Sequence, residues 1–328
     1  MFVVIRTALV ALLALLAGCS ASLQRDSTQH DLVLSRADTM AGLLTAWADG
    51  YRRQHPQANV VLRQDAKLSA EAFDALLDGS ADIAPFVREP FASETERFTA
   101  RYGYPPTLIA VATGSYATRS STHALAIYVN AQNPLRKISL PELSAIYSDR
   151  YSRWSQLGVV GDWAQRPIHA YSMLRRRSSG NPPGIVNFFS QRVLGGGQFA
   201  ATVREVDDAT GIAALDGIVS AVRGDPDGIG FSGFANWQPG TRRLAIAERE
   251  SGPFMEGSLA EVTMRKYPLT RTIYLCINRA PNQALAPTLR AFLQYVLEPD
   301  GQAAITQDAS NFLPLPPREI RAQLRRLE

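Results

Sequence analysis

Short apolar runs alternate with helix-like patterns along most of this 328-residue chain. The runs Leu32–Leu34 and Val60–Leu62 have the length of short strands. Between them, apolar residues recur at the spacing of one helix face, at Met40, Leu43, Leu44, Trp47 and Tyr51. Strands and helices in alternation favour an α/β architecture with mostly parallel sheets. We therefore predict an α/β fold.

Two helix starts carry recognisable capping signals. Ser139 and Glu142 have the spacing of a capping box, and Pro141 falls in the first turn of the same helix. Ser69 is predicted to be the N-cap of an earlier helix, and Gly79 suits the position just after that helix ends.

The amino-terminal segment has the pattern of an export signal. An apolar stretch follows Arg6 and is too short to span a bilayer, which needs about 20 apolar residues. It ends in Leu-Ala-Gly-Cys19, which resembles the lipobox of bacterial lipoproteins. The resemblance implies a signal peptide at 1–18 and an acylated tether at 19–30. Ser20 then resembles an outer-membrane sorting signal in a periplasm-facing lipoprotein. The alternative is an ordinary signal peptide that happens to end near a cysteine.

Charge and cysteine content exclude several classes of protein. The formal net charge is only +4, and no basic stripe is interleaved with aromatic residues, so we predict no nucleic-acid binding. The two cysteines are Cys19 and Cys276. With Cys19 acylated, Cys276 is unpaired, and its apolar surroundings predict a buried thiol in a central strand. We expect a monomer.

The chain lacks the sequence patterns of common enzymes. No nucleophile elbow, zinc-protease motif or P-loop is present. None of the four histidines pairs with another at metal-ligand spacing; they are His30, His55, His123 and His169. We predict no enzymatic activity, no bound metal and no cofactor.

Several short motifs occur in an order that points to one family. They are 35–40, 78–84 followed by Arg88, 126–130, 227–232, 267–269 followed by Arg271, and 313–316. This order resembles the phosphate-binding, PstS-like solute-binding proteins of ABC transporters. The resemblance implies a type II periplasmic-binding-protein fold, in which two α/β lobes joined by a hinge close on a ligand. Lobe one is expected at 31–115 plus 235–328, and lobe two at 116–234.

The best candidate for an anion contact is the segment that begins at Arg175. Arg175, Ser179 and Gly180 match the family pattern of an arginine, three residues, then Ser-Gly-Thr, and Asn181 replaces the threonine. Arginine presents a planar fork that matches two oxygens of an oxyanion. Two prolines follow Asn181 and remove two backbone donors. The alternative is a basic surface turn before a helix.

Two further segments are candidate ligand contacts by the same resemblance. In the family, a Thr or Ser at the position of Thr39, between Asp38 and Met40, binds the anion through its hydroxyl and nearby backbone. Thr39 could equally cap the helix that follows. Ser69 matches a family serine in a glycine-rich loop, although this chain lacks the glycines and a simple N-cap also explains it.

One departure from the family pattern bears on the ligand. Phe86 and Val87 stand where the family has a serine followed by Asp or Ser, which donate to the anion or accept its proton. Each missing charged hydrogen bond costs about 1–3 kcal/mol. The expected function is capture of an oxyanion, most simply inorganic phosphate, for uptake through an ABC permease or for sensing. The alternative is an envelope lipoprotein with weakened binding that acts as a scaffold.

Overall fold

The computed structural model describes residues 31–119, 122–175, 180–206 and 211–328. Two five-stranded sheets flanked by helices dominate this part, and a third sheet pairs two short strands. The predicted α/β class is confirmed. Among the described residues, no helix has both the length and the apolar character that crossing a membrane requires.

The strands are β1 (Leu32–Leu34), β2 (Val60–Leu62), β3 (Ile83–Phe86), β4 (Thr107–Thr113), β5 (Leu125–Asn130), β6 (Lys137–Ser139), β7 (His169–Met173), β8 (Arg204–Val206), β9 (Gly228–Gly233), β10 (Thr241–Arg243), β11 (Ala245–Ala247) and β12 (Thr272–Ile277). The helices are α1 (Ala41–Gln54), α2 (Ser69–Asp78), α3 (Ala92–Tyr102), α4 (Leu140–Tyr147), α5 (Gly184–Val193), α6 (Gly211–Gly224), α7 (Leu259–Thr263), α8 (Pro287–Leu297), α9 (Pro299–Gln307) and α10 (Pro317–Arg325).

The first sheet has the strand order β2-β1-β3-β12-β4. β1 is parallel to β2 and β3, whereas β12 is antiparallel to both β3 and β4. Four strands therefore run in one direction, and only β12 opposes them. β12 lies between two neighbours, and this position explains its nearly continuous apolar sequence. Cys276 on β12 is fully buried, as predicted. This sheet and its helices form lobe one.

The second sheet has the strand order β10-β5-β9-β7-β8. β7 is parallel to β8 and β9, whereas β5 is antiparallel to β9 and β10. Again four strands share one direction and one strand, β5, opposes them. A large apolar cluster covers this sheet, with Tyr128, Phe189 and Phe231 among its fully buried members. This sheet and its helices form lobe two.

Two chain segments join the lobes side by side. The first leaves β4 at Gly114 and enters β5 at Leu125, and the second runs from Leu269 to Arg271 before β12. The backbone N–H of Gly114 donates to the Arg271 carbonyl at 2.9 Å, and that of Leu125 donates to the Leu269 carbonyl at 3.1 Å. This paired crossing is the position at which a hinge between the lobes would bend.

The sequence predicts lobe one at 31–115 plus 235–328 and lobe two at 116–234, and these limits stay a prediction. The strand pairing indicates that the chain returns from lobe two to lobe one later than residue 235. β10 begins at Thr241 and pairs with β5 of lobe two. The core of lobe two also includes Val262, Tyr267 and Leu269. We propose that lobe two continues to about residue 269. The strands β10 and β11 have three residues each, which is too short to give a clear alternation in the sequence.

The two predicted helix caps have different outcomes. The capping box at α4 is confirmed, because Ser139 Oγ accepts from the Glu142 N–H at 3.3 Å and Glu142 Oε2 accepts from the Ser139 N–H at 2.7 Å. Ser69, in contrast, is the first residue of α2 rather than its N-cap. The carboxylate of Glu71 accepts from the N–H groups of Lys67 and Leu68 instead. The cap prediction for Ser69 was therefore wrong.

Candidate functional site

A cavity of about 470 Å³ lies between the two lobes, at the paired crossing. We call it the inter-lobe cleft. Lobe one contributes the start of α2 and the segment between β3 and α3. Lobe two contributes the start of α5 with the residues just before it, part of α6 and Asn236, and the crossing contributes the rest. Its lining residues are Leu68, Ser69, Ala70, Val87, Arg88, Phe91, Arg119, Thr122, His123, Asn181, Pro182, Pro183, Gly184, Ile185, Leu215, Asn236 and Arg271.

The charged lining of the inter-lobe cleft is entirely basic. Arg88, Arg119 and Arg271 face it, and no Asp or Glu is among its described lining residues. Each arginine has a carboxylate partner outside that lining, namely Glu94, Asp216 and Glu89 in the same order. A cleft with cationic groups and no lining carboxylate attracts anions and repels cations.

The amino end of α5 adds a further positive contribution. α5 starts at Gly184, with Pro183 in the N-cap position, and no side chain caps it. The first N–H groups of a helix have no partner within the helix, and the helix dipole places partial positive charge there. Helix starts of this kind bind anions in many proteins. Because Pro182 and Pro183 have no N–H, the first available backbone donor is that of Gly184.

The crossing segment places polar groups at the base of the cleft. The Thr122 hydroxyl donates to the Val87 carbonyl at 3.0 Å, which ties the crossing to lobe one. His123 is buried, and its Nδ1 lies 3.0 Å from the Thr118 carbonyl. Because a carbonyl can only accept, Nδ1 carries the proton. Burial lowers the pKa of His123, with smaller contributions from the positive charges of Arg271 and Arg119.

The structure brings together two of the predicted ligand residues. Ser69 and Asn181 both line the inter-lobe cleft, one from each lobe. The Ser69 hydroxyl accepts from the Val87 N–H at 3.4 Å. The Asn181 side chain accepts from the Ser93 hydroxyl at 3.2 Å, so it also contacts lobe one directly.

Arg175 and Gly180 line a neighbouring cavity of about 1320 Å³, which we call the outer groove, between α3 and the segment before α5. The Arg175 guanidinium bonds Glu205 through Nε, and its Nη1 donates to the Ala200 carbonyl at 2.9 Å. Gly180 has a φ of +80°, a left-handed conformation that favours glycine. Ser179, the remaining member of the motif, lies outside the described residues.

Asp38, Thr39 and Met40 form a short 3₁₀ turn that is not part of the lining of either cavity. Asp38 is paired with Arg36 at 3.2 Å, Thr39 is exposed and Met40 is fully buried in the core of lobe one. Met40, rather than Thr39, occupies the N-cap position of α1, and no side chain caps this helix. The capping alternative for Thr39 was therefore wrong, while the ligand role of the turn stays a prediction.

Only one of the two residues that depart from the family pattern faces the cleft. Phe86 is fully buried against the aromatic rings of Phe73 and Phe98 in lobe one. Val87 lines the inter-lobe cleft. Of these two departures from the family pattern, only Val87 can therefore remove a polar contact to a ligand in the cleft.

Three residues of the cleft are not predicted as ligand contacts by any sequence motif, namely Arg88, His123 and Arg271. Arg88 and Arg271 were noticed as parts of two motifs, but nothing in the local sequence says that they face the same cavity. They are 183 positions apart and meet only because β3 and β12 are neighbours in the sheet. The signal that could have found the two arginines is an arginine within two residues of the end or start of a buried strand.

A separate group of ionisable residues lies at the far edge of lobe two. His169, Asp225 and Asp227 place three potential metal ligands close together. Arg166 binds Asp227 through two hydrogen bonds of 2.7 and 3.1 Å, and Arg204 lies 3.1 Å from Asp225. The two carboxylates therefore already have cationic partners. These ion pairs account for the close approach of the three residues without a metal ion.

Comparison with known proteins places this fold and cleft in a family. A family model described as the PBP superfamily domain matches residues 22–300. The chain belongs to the PBP superfamily. The phosphate-binding protein PstS of Pseudomonas aeruginosa is 30% identical over 299 residues, which cover 89% of this chain and 85% of that protein. Within the PBP superfamily the chain is thus PstS-like, as its motif order indicated. This membership confirms a solute-binding protein rather than an enzyme.

Two solved structures share the fold. PstS from Borrelia burgdorferi matches with a TM-score of 0.54 at 15% identity, covering 87% of this chain and 98% of that chain. An ABC-type phosphate transport receptor from Vibrio cholerae matches with a TM-score of 0.51 at 17% identity, covering 86% and 99%. The fold of this chain is therefore also the fold of these two proteins.

Proposed function

We propose that this PstS-like protein captures inorganic phosphate in the inter-lobe cleft and delivers it to an ABC permease or to a sensor. The observation that carries the proposal is the charge of the cleft. Three arginines and an uncapped helix start face one cavity, and its described lining contains no carboxylate. The names of the relatives, a phosphate-binding protein and a phosphate transport receptor, support phosphate as the anion.

The polar side chains of the cleft supply further donors for a tetrahedral anion. We propose Ser69 and Asn181 as ligand contacts, because one comes from each lobe and both line the cavity. The roles predicted for Arg175, Gly180 and Asp38–Met40 would require these segments to move when a ligand binds. That requirement is a further part of the proposal.

Thermal unfolding tests the proposal. A ligand that binds only the folded protein stabilises it by an amount that grows with the ratio of ligand concentration to Kd. We expect millimolar phosphate to raise the Tm of the purified protein, freed of anions by unfolding and refolding, by several degrees. Sulfate and molybdate at the same concentration serve as matched controls and should raise it less.

The second candidate function is that of a scaffold in the cell envelope. Val87 in the cleft favours it, because an apolar side chain there offers an oxyanion no hydrogen bond. A scaffold would show the same Tm with phosphate, sulfate, molybdate and no addition. That outcome would contradict phosphate capture.

We further propose that the protein is exported and anchored to a membrane through acyl groups on Cys19, with Ser20 favouring the outer membrane. The residues involved lie outside the described part, so the proposal rests on the sequence pattern alone. Mass spectrometry of the mature protein is expected to find an acylated amino-terminal Cys19. An unmodified terminus at another residue would indicate an ordinary signal peptide.

A further inference from the structure

Arg271 stands at the base of the inter-lobe cleft, on the second crossing between the lobes. Its side chain is only 8% exposed. The nearest carboxylate oxygen is Glu89 Oε2, which lies 3.5 Å from Nη2. That distance exceeds the 2.7–2.9 Å that is usual for a charge-assisted hydrogen bond. Nε of Arg271 is buried and has no hydrogen-bond partner among the residues that the structure describes.

The other two arginines of the cleft each have a close carboxylate partner. Arg88 donates to both carboxylate oxygens of Glu94, at 2.6 and 2.8 Å, and to the Glu89 carbonyl at 3.0 Å. Arg119 is half exposed and donates to Asp216 at 2.7 Å. Among the described arginines lining the cleft, Arg271 therefore has the most distant carboxylate partner.

The guanidinium of Arg271 lies against the first residue of α5. A Cβ placed on Gly184 would be 3.9 Å from Arg271 Nη2. Two positive features thus face each other, a buried guanidinium and an uncapped helix start. The Glu89 carboxylate, at 3.5 Å, compensates this buried charge less than a close partner would, and the positive helix start adds to the cost of burying it. An anion placed between the two would bind both and remove this repulsion.

We propose that Arg271, together with the first backbone N–H groups of α5, is the primary contact for the ligand's charged oxygens. Arg271 belongs to lobe one and α5 to lobe two, so an anion held by both also joins the lobes. The ligand class is a small tetrahedral dianion that presents two oxygens to one guanidinium fork. This inference rests on the proposed function and names the residues that perform it.

Calorimetric titration of phosphate into four proteins tests the inference. They are the unaltered protein, Arg271→Gln, Arg271→Lys and the matched control Arg97→Gln. We expect Arg271→Gln to raise the Kd roughly 10- to 100-fold, because charge-assisted hydrogen bonds are lost from a buried site. Arg271→Lys keeps the charge but not the fork and should fall between. Arg97→Gln should stay within about threefold, since Arg97 is half exposed, pairs with Asp74 at 2.8 Å and lies outside the lining of the inter-lobe cleft.

The outcomes separate this inference from the proposed function. If the unaltered protein does not bind phosphate, the proposed function fails, and the phosphate contact fails with it. If it binds and both Arg271 variants keep the affinity of the unaltered protein, the function stands and the assignment to Arg271 is overturned. Thermal unfolding of each variant shows whether it is folded. Should Arg271→Gln not fold, Arg271→Lys alone decides, and an unchanged Kd overturns the inference.

Discussion

At the residue scale, Gly233 and His123 show how closely the crossing segment approaches lobe two. Gly233 ends β9, opposite Leu125 of β5. A Cβ placed on Gly233 would lie 1.4 Å from His123 Nε2, which is far inside any permitted contact. The backbone of Gly233, with a φ of −79°, is one that alanine adopts without strain. The glycine is required here for space alone.

We predict that Gly233→Ala destabilises the protein by about 1–3 kcal/mol, because the histidine ring or the strand must move to admit a methyl group. Denaturant unfolding measures the change. Gly224→Ala is the matched control, because nothing lies within 4 Å of a Cβ at that helix end. It should be neutral or slightly stabilising, since alanine restricts the unfolded chain more than glycine does.

A double-mutant cycle identifies His123 as the cause. In the double variant Gly233→Ala with His123→Ala, the removed ring leaves room for the methyl group. The loss of stability should therefore be smaller than the sum of the two single losses. Additive losses would show that another neighbour, not His123, requires the glycine.

Some residues of the candidate site are predictable from the sequence and others are not, for a physical reason. Ser69 and Asn181 could be named, because each belongs to a local motif at a helix start. Arg271 and His123 could not be assigned, because their function depends on neighbours distant in the sequence. Arg271 meets α5 across the gap between the lobes, and no local pattern encodes that contact.

At the element scale, the sequence predicts helices and buried strands well and their partners poorly. The apolar spacing from Met40 to Tyr51 identified α1, and the Ser139 capping box identified the start of α4. Both signals act within one element. β10 pairs with β5 although more than a hundred residues separate the two strands in the sequence. A three-residue strand is too short to show an alternating pattern from which this pairing could be predicted.

The start of α5 shows how an element acquires its role from its surroundings. Pro182 and Pro183 explain why the helix begins where it does, since proline suits the positions before and at a helix start. Pro183 also explains why the helix start is uncapped, since its ring has no acceptor for the first N–H groups. The uncapped start of α5 becomes a candidate anion site only because Arg271 of the other lobe places a second positive group beside Gly184.

At the scale of the whole molecule, direct hydrogen bonds connect the lobes beside the cleft. They join α5 of lobe two to the segment between β3 and α3 of lobe one. Asn187 Nδ2 donates to the Glu89 carbonyl at 3.0 Å, and Gln191 Nε2 donates to the Pro90 carbonyl at 2.9 Å. Asn187 is buried at this contact. We call the pair Asn187 and Gln191 the latch.

The latch contributes to closure without a ligand. Each hydrogen bond stabilises the closed arrangement by about 0.5–1.5 kcal/mol. Two of them together change a closed-to-open ratio by roughly 5- to 150-fold. A ligand that requires the closed arrangement binds with an apparent Kd that rises as the closed fraction falls. The latch is therefore expected to set part of the affinity although it touches no ligand.

We predict that the double variant Asn187→Ala with Gln191→Ala opens the cleft in the absence of ligand. Small-angle X-ray scattering should show a larger radius of gyration, and saturating phosphate should restore the smaller one. Calorimetry should show a weaker apparent Kd. Gln57→Ala, at an exposed position of lobe one, is the control and should change neither. If the double variant keeps the original radius but loses affinity, the latch acts on the ligand site itself. If both quantities stay unchanged, the hinge alone holds the lobes together, because the crossing bonds at Gly114 and Leu125 remain intact.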